Sequence, residues 1–276
     1  MQKEMMADLR YALSPVVFTQ ECLGINPDPW QAEVMMSPSK RLLLNCSRQS
    51  GKSTSSAIIA LHQALYFPGS LILLISPSLR QSSELFKKVQ QFYKMLPNQP
   101  KLPEDNRLSM VMDNSSRIVS LPSSEANIRG FSAVSLVIED EASRVDDNLY
   151  RAVRPMLAVS GGKIILLSTP WGKRGHFFEE WTSGDTTWHR VEIPANRCPR
   201  ISPEFLEEEK RSLGEWWFEQ EYLCKFGDTI DQVFRYDDVM RCLSPNVKPL
   251  FPLNQRTANK SPCEDQEIKP LKIKAR

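Results

Sequence analysis

The chain has 276 residues, 41% hydrophobic and 25% charged, a globular balance that excludes a wholly disordered chain. With 35 Lys/Arg against 33 Asp/Glu the formal charge is +2, so any contact with a polyanion is local rather than a basic coat. No apolar run nears the ~20 residues that span a bilayer, residues 1–10 lack a signal-peptide core, and six scattered cysteines without a CxxC pair argue against a disulfide framework or structural zinc; an intracellular protein is expected.

Met5, Met6, Leu9 and Leu13 recur at helical spacing in a lead-in over residues 1–30 that Pro15 interrupts. Trp30 and Gln31 follow. A Gln amide both donates to and accepts from an adenine edge; a core Trp30 beside a surface Gln31 fits the same pair. Between 40 and 195, short apolar runs recur at 41–45, 71–76, 134–139 and 163–168, with helix-like stretches at 52–66 and 78–95. Buried strands alternating with helices predict an α/β fold with a mainly parallel sheet covered on both faces.

The first run leads into Asn45-Cys46-Ser47-Arg48-Gln49-Ser50-Gly51-Lys52-Ser53-Thr54 and then a helix. Backbone N–H groups of such a turn, with the helix N-terminus, form a nest for phosphate oxygens. Gly51 lets the backbone approach a ligand without a Cβ in the way. Lys52 suits the β- and γ-phosphates, and the Ser53 hydroxyl suits Mg²⁺. Cys46 stands where the general G-x-x-x-x-G-K-[ST] pattern has its first glycine. Gly-Lys-Ser alone also fits an ordinary helix start, but the strand before it and the acidic strand end after it favour phosphate.

That acidic end is Leu136-Val137-Ile138-Glu139-Asp140-Glu141. Asp140 suits the orientation of Mg²⁺ and Glu141 the activation of water as general base. Strand alternation turns Glu139 to the other face. Ser168-Thr169-Pro170 closes the last run; its hydroxyls suit a contact with a γ-phosphate, and the same residues make a plain turn. Arg80, after the second strand, and Arg129, in Asn127-Ile128-Arg129-Gly130, suit either a phosphate or solvent. Residues 171–178 mix basic and aromatic side chains, as an interface or nucleic-acid loop does. Phe177, Phe178 and Trp181 read as the core of a following helix, and Trp216, Trp217, Phe218 and Tyr222 as packing in a helix-prone stretch over 203–223. Residues 241–276 carry eight Lys/Arg, three Asp/Glu and five prolines, which predicts an extended basic tail.

This set, in this order, resembles the ATPase domain of the large terminase subunit of tailed bacteriophages, the motor that packages genome DNA. The matching pieces are Trp30-Gln31, the loop Ser47-Arg48-Gln49-Ser50-Gly51-Lys52-Ser53, Ser76-Pro77 with Arg80-Gln81, Ile128-Arg129-Gly130, Asp140-Glu141-Ala142 and Ser168-Thr169-Pro170, over roughly residues 8–235. The glycine-poor loop is the most specific of them.

The resemblance implies an ASCE-type P-loop NTPase, with ATP and Mg²⁺ as ligands. It implies Gln31 as the adenine contact and Ser47 to Thr54 as the ATP-binding loop. Arg48 becomes an arginine acting in cis, and Lys52 and Ser53 hold phosphates and metal. Asp140 is then the metal orienter, Glu141 the catalytic base, and Ser168, Thr169 and Pro170 the coupling motif. Arg129 becomes an arginine that reaches a neighbouring subunit. The implied function is packaging of double-stranded DNA without sequence readout, in a homo-oligomeric ring with portal protein and small terminase subunit, in the host bacterial cytoplasm and away from membranes.

Residues 1–235 are expected to form the ATPase domain. Residues 236–276 are expected to be a tail or linker whose three carboxylates beyond Asp238, Glu264, Asp265 and Glu267, do not build the family's nuclease; no cleavage is expected. Another P-loop translocase or helicase, or a non-catalytic assembly protein that binds nucleotide without turnover, are the competing functions.

Overall fold

The computed structural model describes residues 2–122, 130–228 and 236–242. Packing divides the chain into two units, Met1–Asp231 and Gln232–Arg276. In the second, a short helix, Tyr236–Cys242, carries an ion pair between Asp238 and Arg241.

The first unit opens on α1 (Gln2–Leu13), α2 (Pro15–Leu23) and α3 (Pro29–Met36). The helical lead-in does break before Pro15: α1 ends at Leu13 and Ser14 is extended, with φ −136° and ψ 98°. Pro15 then begins α2, where its missing N–H costs nothing, and Ser14 caps that end by accepting from the Val17 amide. Then come β1 (Arg41–Cys46), α4 (Lys52–Tyr66), β2 (Leu71–Ser76) and α5 (Leu79–Met95), followed by the short strands β3 (Glu104–Asp105), β4 (Ser109–Val111) and β5 (Arg117–Pro122). β6 (Leu136–Asp140), α6 (Asp147–Val153), β7 (Lys163–Ser168), α7 (Gly175–Thr182) and β8 (His189–Ile193) complete the alternation. The helix-prone stretch after it splits at Gly214, whose φ of 78° breaks the helical run into α8 (Pro203–Leu213) and α9 (Glu215–Tyr222).

The strands form one sheet in the order β3-β4-β5-β2-β6-β7-β1-β8. From β5 to β8 every pairing is parallel, and the β3–β4–β5 edge is antiparallel. Parallel neighbours need crossovers, and the helices that make them cover both faces. The strands are therefore apolar on both sides. Leu42, Leu44, Ile72, Leu74, Ile165 and Leu167 pack under α2, α4 and α5. Leu43, Leu73, Ile75, Val137, Ile164 and Leu166 pack against Leu149, Tyr150, Val153 and Phe177 of α6 and α7. Each such fully buried aliphatic side chain contributes roughly 1.5–3 kcal/mol before entropy is counted.

Register fixes the working edge. β7 lies between β1 and β6, Asn45 pairs with Ser168, and Asp140 pairs with Leu167. The C-terminal ends of β1, β7 and β6 thus open side by side, where ligands of open α/β sheets lie.

Candidate active site

The β1–α4 turn is built by two residues with positive φ, Gln49 at 60° and Gly51 at 94°. The Ser50 hydroxyl donates to the Ser47 carbonyl (2.9 Å) inside the loop. Two neighbours hold it from outside: the Ser47 amide donates to the Ile193 carbonyl and the Arg48 amide to the Glu221 carbonyl, both at 2.9 Å. A Cβ on Gly51 would lie 2.8 Å from Gln31 Nε2 and 3.0 Å from Arg200 Nη2, so glycine is required by both conformation and close approach.

Gln31 is buried, 5% exposed. Its Oε1 accepts from the Asp28 amide at 2.8 Å, and its Nε2 donates to the Gly51 carbonyl at 3.4 Å. The side chain therefore ties the start of α3 to the loop and is not a surface group; Trp30 packs partly buried against the core. Arg200, 150 residues from the loop, donates to the Ser50 carbonyl at 2.7 Å and pairs with Asp28 at 2.8 Å.

Lys52 and Ser53 open α4 and face the end of β6. Lys52 Nζ pairs with Glu141 Oε1 at 2.9 Å, and Ser53 Oγ donates to Asp140 Oδ2 at 3.3 Å. Burial alone lowers the affinity of Lys52 for its proton, but the Glu141 and Asp140 charges outweigh it, and the group stays cationic with its pKa raised. Burial acts the other way on Asp140, whose carboxyl is pushed up to about 6 against the pull of Lys52. Cys46, at the end of β1, is pushed up to about 12 by burial and is an inert thiol. Glu141 sits in the left-handed region, φ 55°, a conformation that costs a non-glycine residue of order 1–3 kcal/mol and gathers at functional sites.

The end of β7 completes the group. Ser168 Oγ donates to Glu141 Oε2 at 3.4 Å and meets Ser143 Oγ at 2.6 Å; Ser143 Oγ also donates to the Thr169 carbonyl at 2.8 Å. Ser168, Thr169 and Pro170 are all buried. Thr54 lies in the first turn of α4, its amide donating to the Gly51 carbonyl at 3.1 Å, and Gln49 is exposed. Arg80 is exposed on the first turn of α5. Arg129 lies outside the described residues.

Glu139 does face away. It is fully buried on the far side of β6, with Oε1 2.6 Å from His176 Nε2, while His176 Nδ1 is 2.9 Å from Asp147 Oδ1. The His176 ring stacks on Tyr150, centroids 4.3 Å apart.

Several residues of this arrangement carried no signal in the sequence. Glu221 of α9 takes Arg48 Nε at 2.7 Å and Nη2 at 3.4 Å, and Arg144 Nη2 reaches it at 3.7 Å. The Arg144 guanidinium also lies 4.2 Å over the Trp171 ring. Ser143 and Arg144 share the turn after β6, Arg200 precedes α8 and Glu221 lies in α9, and only the fold gathers them.

Residues 43–241 match the family described as "Terminase large subunit, T4likevirus-type, N-terminal". The chain is similar to the terminase large subunit of Thermus phage G20c, 26% identical over 256 residues that cover 80% of this chain and 53% of the relative. It thus spans about half the length of the curated relatives it matches. In fold it resembles the large terminase ATPase domain of Thermus phage P74-26, with a TM-score of 0.67 at 22% identity, covering 78% of this chain and 100% of that one. It also resembles the large terminase of a thermophilic bacteriophage in complex with ADP, with a TM-score of 0.60 at 10% identity, covering 72% and 54%.

Proposed function

Because the chain belongs to the T4likevirus-type terminase large subunit family, through its N-terminal part, we propose that it is an ATP-hydrolysing motor for packaging double-stranded DNA into a viral prohead. The carrying observation is the meeting of Lys52 and Ser53 with Asp140 and Glu141 within 2.9–3.3 Å across the ends of β1 and β6. The large terminase of the thermophilic bacteriophage, similar in fold, is described in complex with ADP, which supports a nucleotide at this edge.

In this function the triphosphate lies over Ser47 to Thr54, with the loop amides and the α4 N-terminus offsetting its charge. Lys52 leaves Glu141 for the phosphates. The freed Glu141 carboxylate, aligned by Ser168, takes a proton from the attacking water as general base. Arg48 adds charge to the transferred phosphoryl from within the chain, Gln31 reads adenine, and Arg129 is assigned to a neighbouring subunit. Ser168, Thr169 and Pro170 carry the change at Glu141 to the loop after β7.

The residues fit a divalent cation. Asp140 is buried and its charge under-compensated, as its raised pKa records, and a hydroxyl stands beside it. Ser53 and Asp140 would hold Mg²⁺, with the phosphates supplying further oxygens. When bound, Mg²⁺ supplies charge neutralisation on the phosphate oxygens.

The domain reading places the motor in residues 1–235, with 236–276 as a basic tail, and assigns DNA cleavage to none of these residues. DNA is moved through backbone contacts without base readout, in a homo-oligomeric ring with portal protein and small terminase subunit, in the host bacterial cytoplasm. No described helix is long and apolar enough to cross a membrane.

Steady-state ATP turnover in the presence of DNA, portal and small subunit tests this. Mg²⁺-dependent turnover is expected. Because burial pushes the metal-free Asp140 carboxyl up to about 6 and a proton there competes with the metal, activity at limiting Mg²⁺ falls below that pH by up to about tenfold per unit, and raising Mg²⁺ moves the fall to lower pH. No turnover in any combination, with nucleotide still bound, would instead favour the non-catalytic assembly role.

A further inference from the structure

We propose that Glu221 is a positioning residue that braces Arg48 from behind, so that the open edge of the guanidinium is aimed at the phosphates throughout the cycle. The inference rests on the functional reading above and adds to it a residue from α9.

Arg48 is gripped at both ends by this one residue. Its main-chain amide donates to the Glu221 carbonyl at 2.9 Å, and its head donates Nε and Nη2 to the Glu221 carboxylate at 2.7 and 3.4 Å. The pair is asymmetric in burial: the Arg48 side chain is 57% exposed, the Glu221 side chain 6%. A guanidinium has five N–H donors in a fixed plane. Glu221 occupies one edge, and no side chain among the described residues takes Nη1, which is left for an anion.

Two arrangements are conceivable, a brace or a parking place that Arg48 leaves when nucleotide arrives. The burial decides. If Arg48 swung away, a nearly buried carboxylate would keep, among the described residues, only Arg144, at the longer distance of 3.7 Å, and stranding a buried charge is strongly unfavourable. Arg144 is itself held over the Trp171 ring. Keeping the brace and meeting phosphate with the free edge breaks no bond. Glu221 is therefore joined to the β1–α4 loop through Arg48 and, through Arg144, to the turn after β6 and the loop after β7.

The kinetic test compares wild type, Arg48→Ala, Glu221→Gln and the double variant under the conditions of highest wild-type turnover. Glu221→Gln keeps shape and removes charge. It is expected to lower kcat by about 10- to 30-fold, as loss of an orienting partner does, with KM for ATP within about threefold of wild type, since the groups that bind ATP are intact. The double variant is expected to match Arg48→Ala, because the brace has nothing left to hold. Unchanged kcat in Glu221→Gln, or losses that multiply, would overturn the proposal.

A second measurement needs no variant. The Arg48 Nε–H resonance in the ¹⁵N spectrum is expected to exchange slowly with water both without ligand and with a non-hydrolysable ATP analogue plus Mg²⁺. Its loss on adding the analogue would make Glu221 a parking place and overturn the brace. A wild-type chain that neither turns over ATP nor binds the analogue is a different failure: it removes the functional reading, and this inference with it.

Discussion

Glu141→Gln is expected to reduce ATP turnover by about 10²–10⁴-fold, the range a positioned general base supplies, without weakening nucleotide binding. Two features of the site separate the effects. Glu141 forms no part of the loop that cradles phosphate; its contacts are Lys52 at 2.9 Å and Ser168 at 3.4 Å. Glu141 also competes with phosphate for Lys52, so a neutral Gln leaves Lys52 easier to recruit. Affinity should hold or rise slightly while chemistry stops. Single-turnover hydrolysis with a parallel binding titration resolves the two. Equal turnover in the variant would remove Glu141 as the base.

The second large effect is on stability. His176→Ala should destabilise the fold by about 3–5 kcal/mol, since it leaves the fully buried Glu139 without its partner; Glu139→Ala should cost less, because Asp147 still holds His176. The larger loss corresponds to a fall in Tm on the order of 10 °C for a domain of this size. The pair sits on the far side of the strand that carries Asp140, and through Asp147 it ties β6, α6 and α7 together. The pH dependence has a definite sign. Burial lowers the His176 pKa, but the hydrogen bonds and charges of Glu139 and then Asp147 outweigh it, so the folded value is raised above the usual 6.5. A raised folded pKa contributes stability that is complete below about pH 6.5 and is lost as the pH rises through the folded value. Thermal unfolding of wild type should therefore fall from pH 6.5 toward 8.5 more steeply than that of His176→Gln. A wild-type profile that rises over this interval relative to the variant would contradict it.

Much of the fold was legible because the central strands are buried on both faces. The runs at 41–45, 71–76 and 163–168 stand out as continuous apolar stretches, and the observed strands match them to within a residue. The run at 134–139 begins late as a strand, at Leu136, because the Val134 amide turns to the Met156 carbonyl instead of the ladder. The edge strands were not legible. β3 has two residues and β4 three, too few for an alternation to register.

The acids and the loop of the candidate site could be read because each lies at the end of an apolar run, where the next residue faces the sheet edge. Glu221 could not. It is separated from Arg48 by 173 residues and sits in a stretch, Gln220-Glu221-Tyr222, whose local pattern says only helix with aromatic packing. Arg200 was hidden in the same way. In Trp30-Gln31 the pattern left open whether Gln31 faced solvent; the Asp28 turn, which takes its Oε1, settles that it is buried.

The proposed motor function requires a triphosphate lying across the β1–α4 turn opposite Asp140 and Glu141. Titration of the chain with a fluorescent ATP analogue and Mg²⁺, for wild type and Lys52→Ala side by side, tests this most directly. Saturable binding at one site in wild type is predicted, weakened at least about tenfold by loss of the charged contact in the variant. Failure of wild type to saturate, or equal affinity in the two proteins, would contradict it.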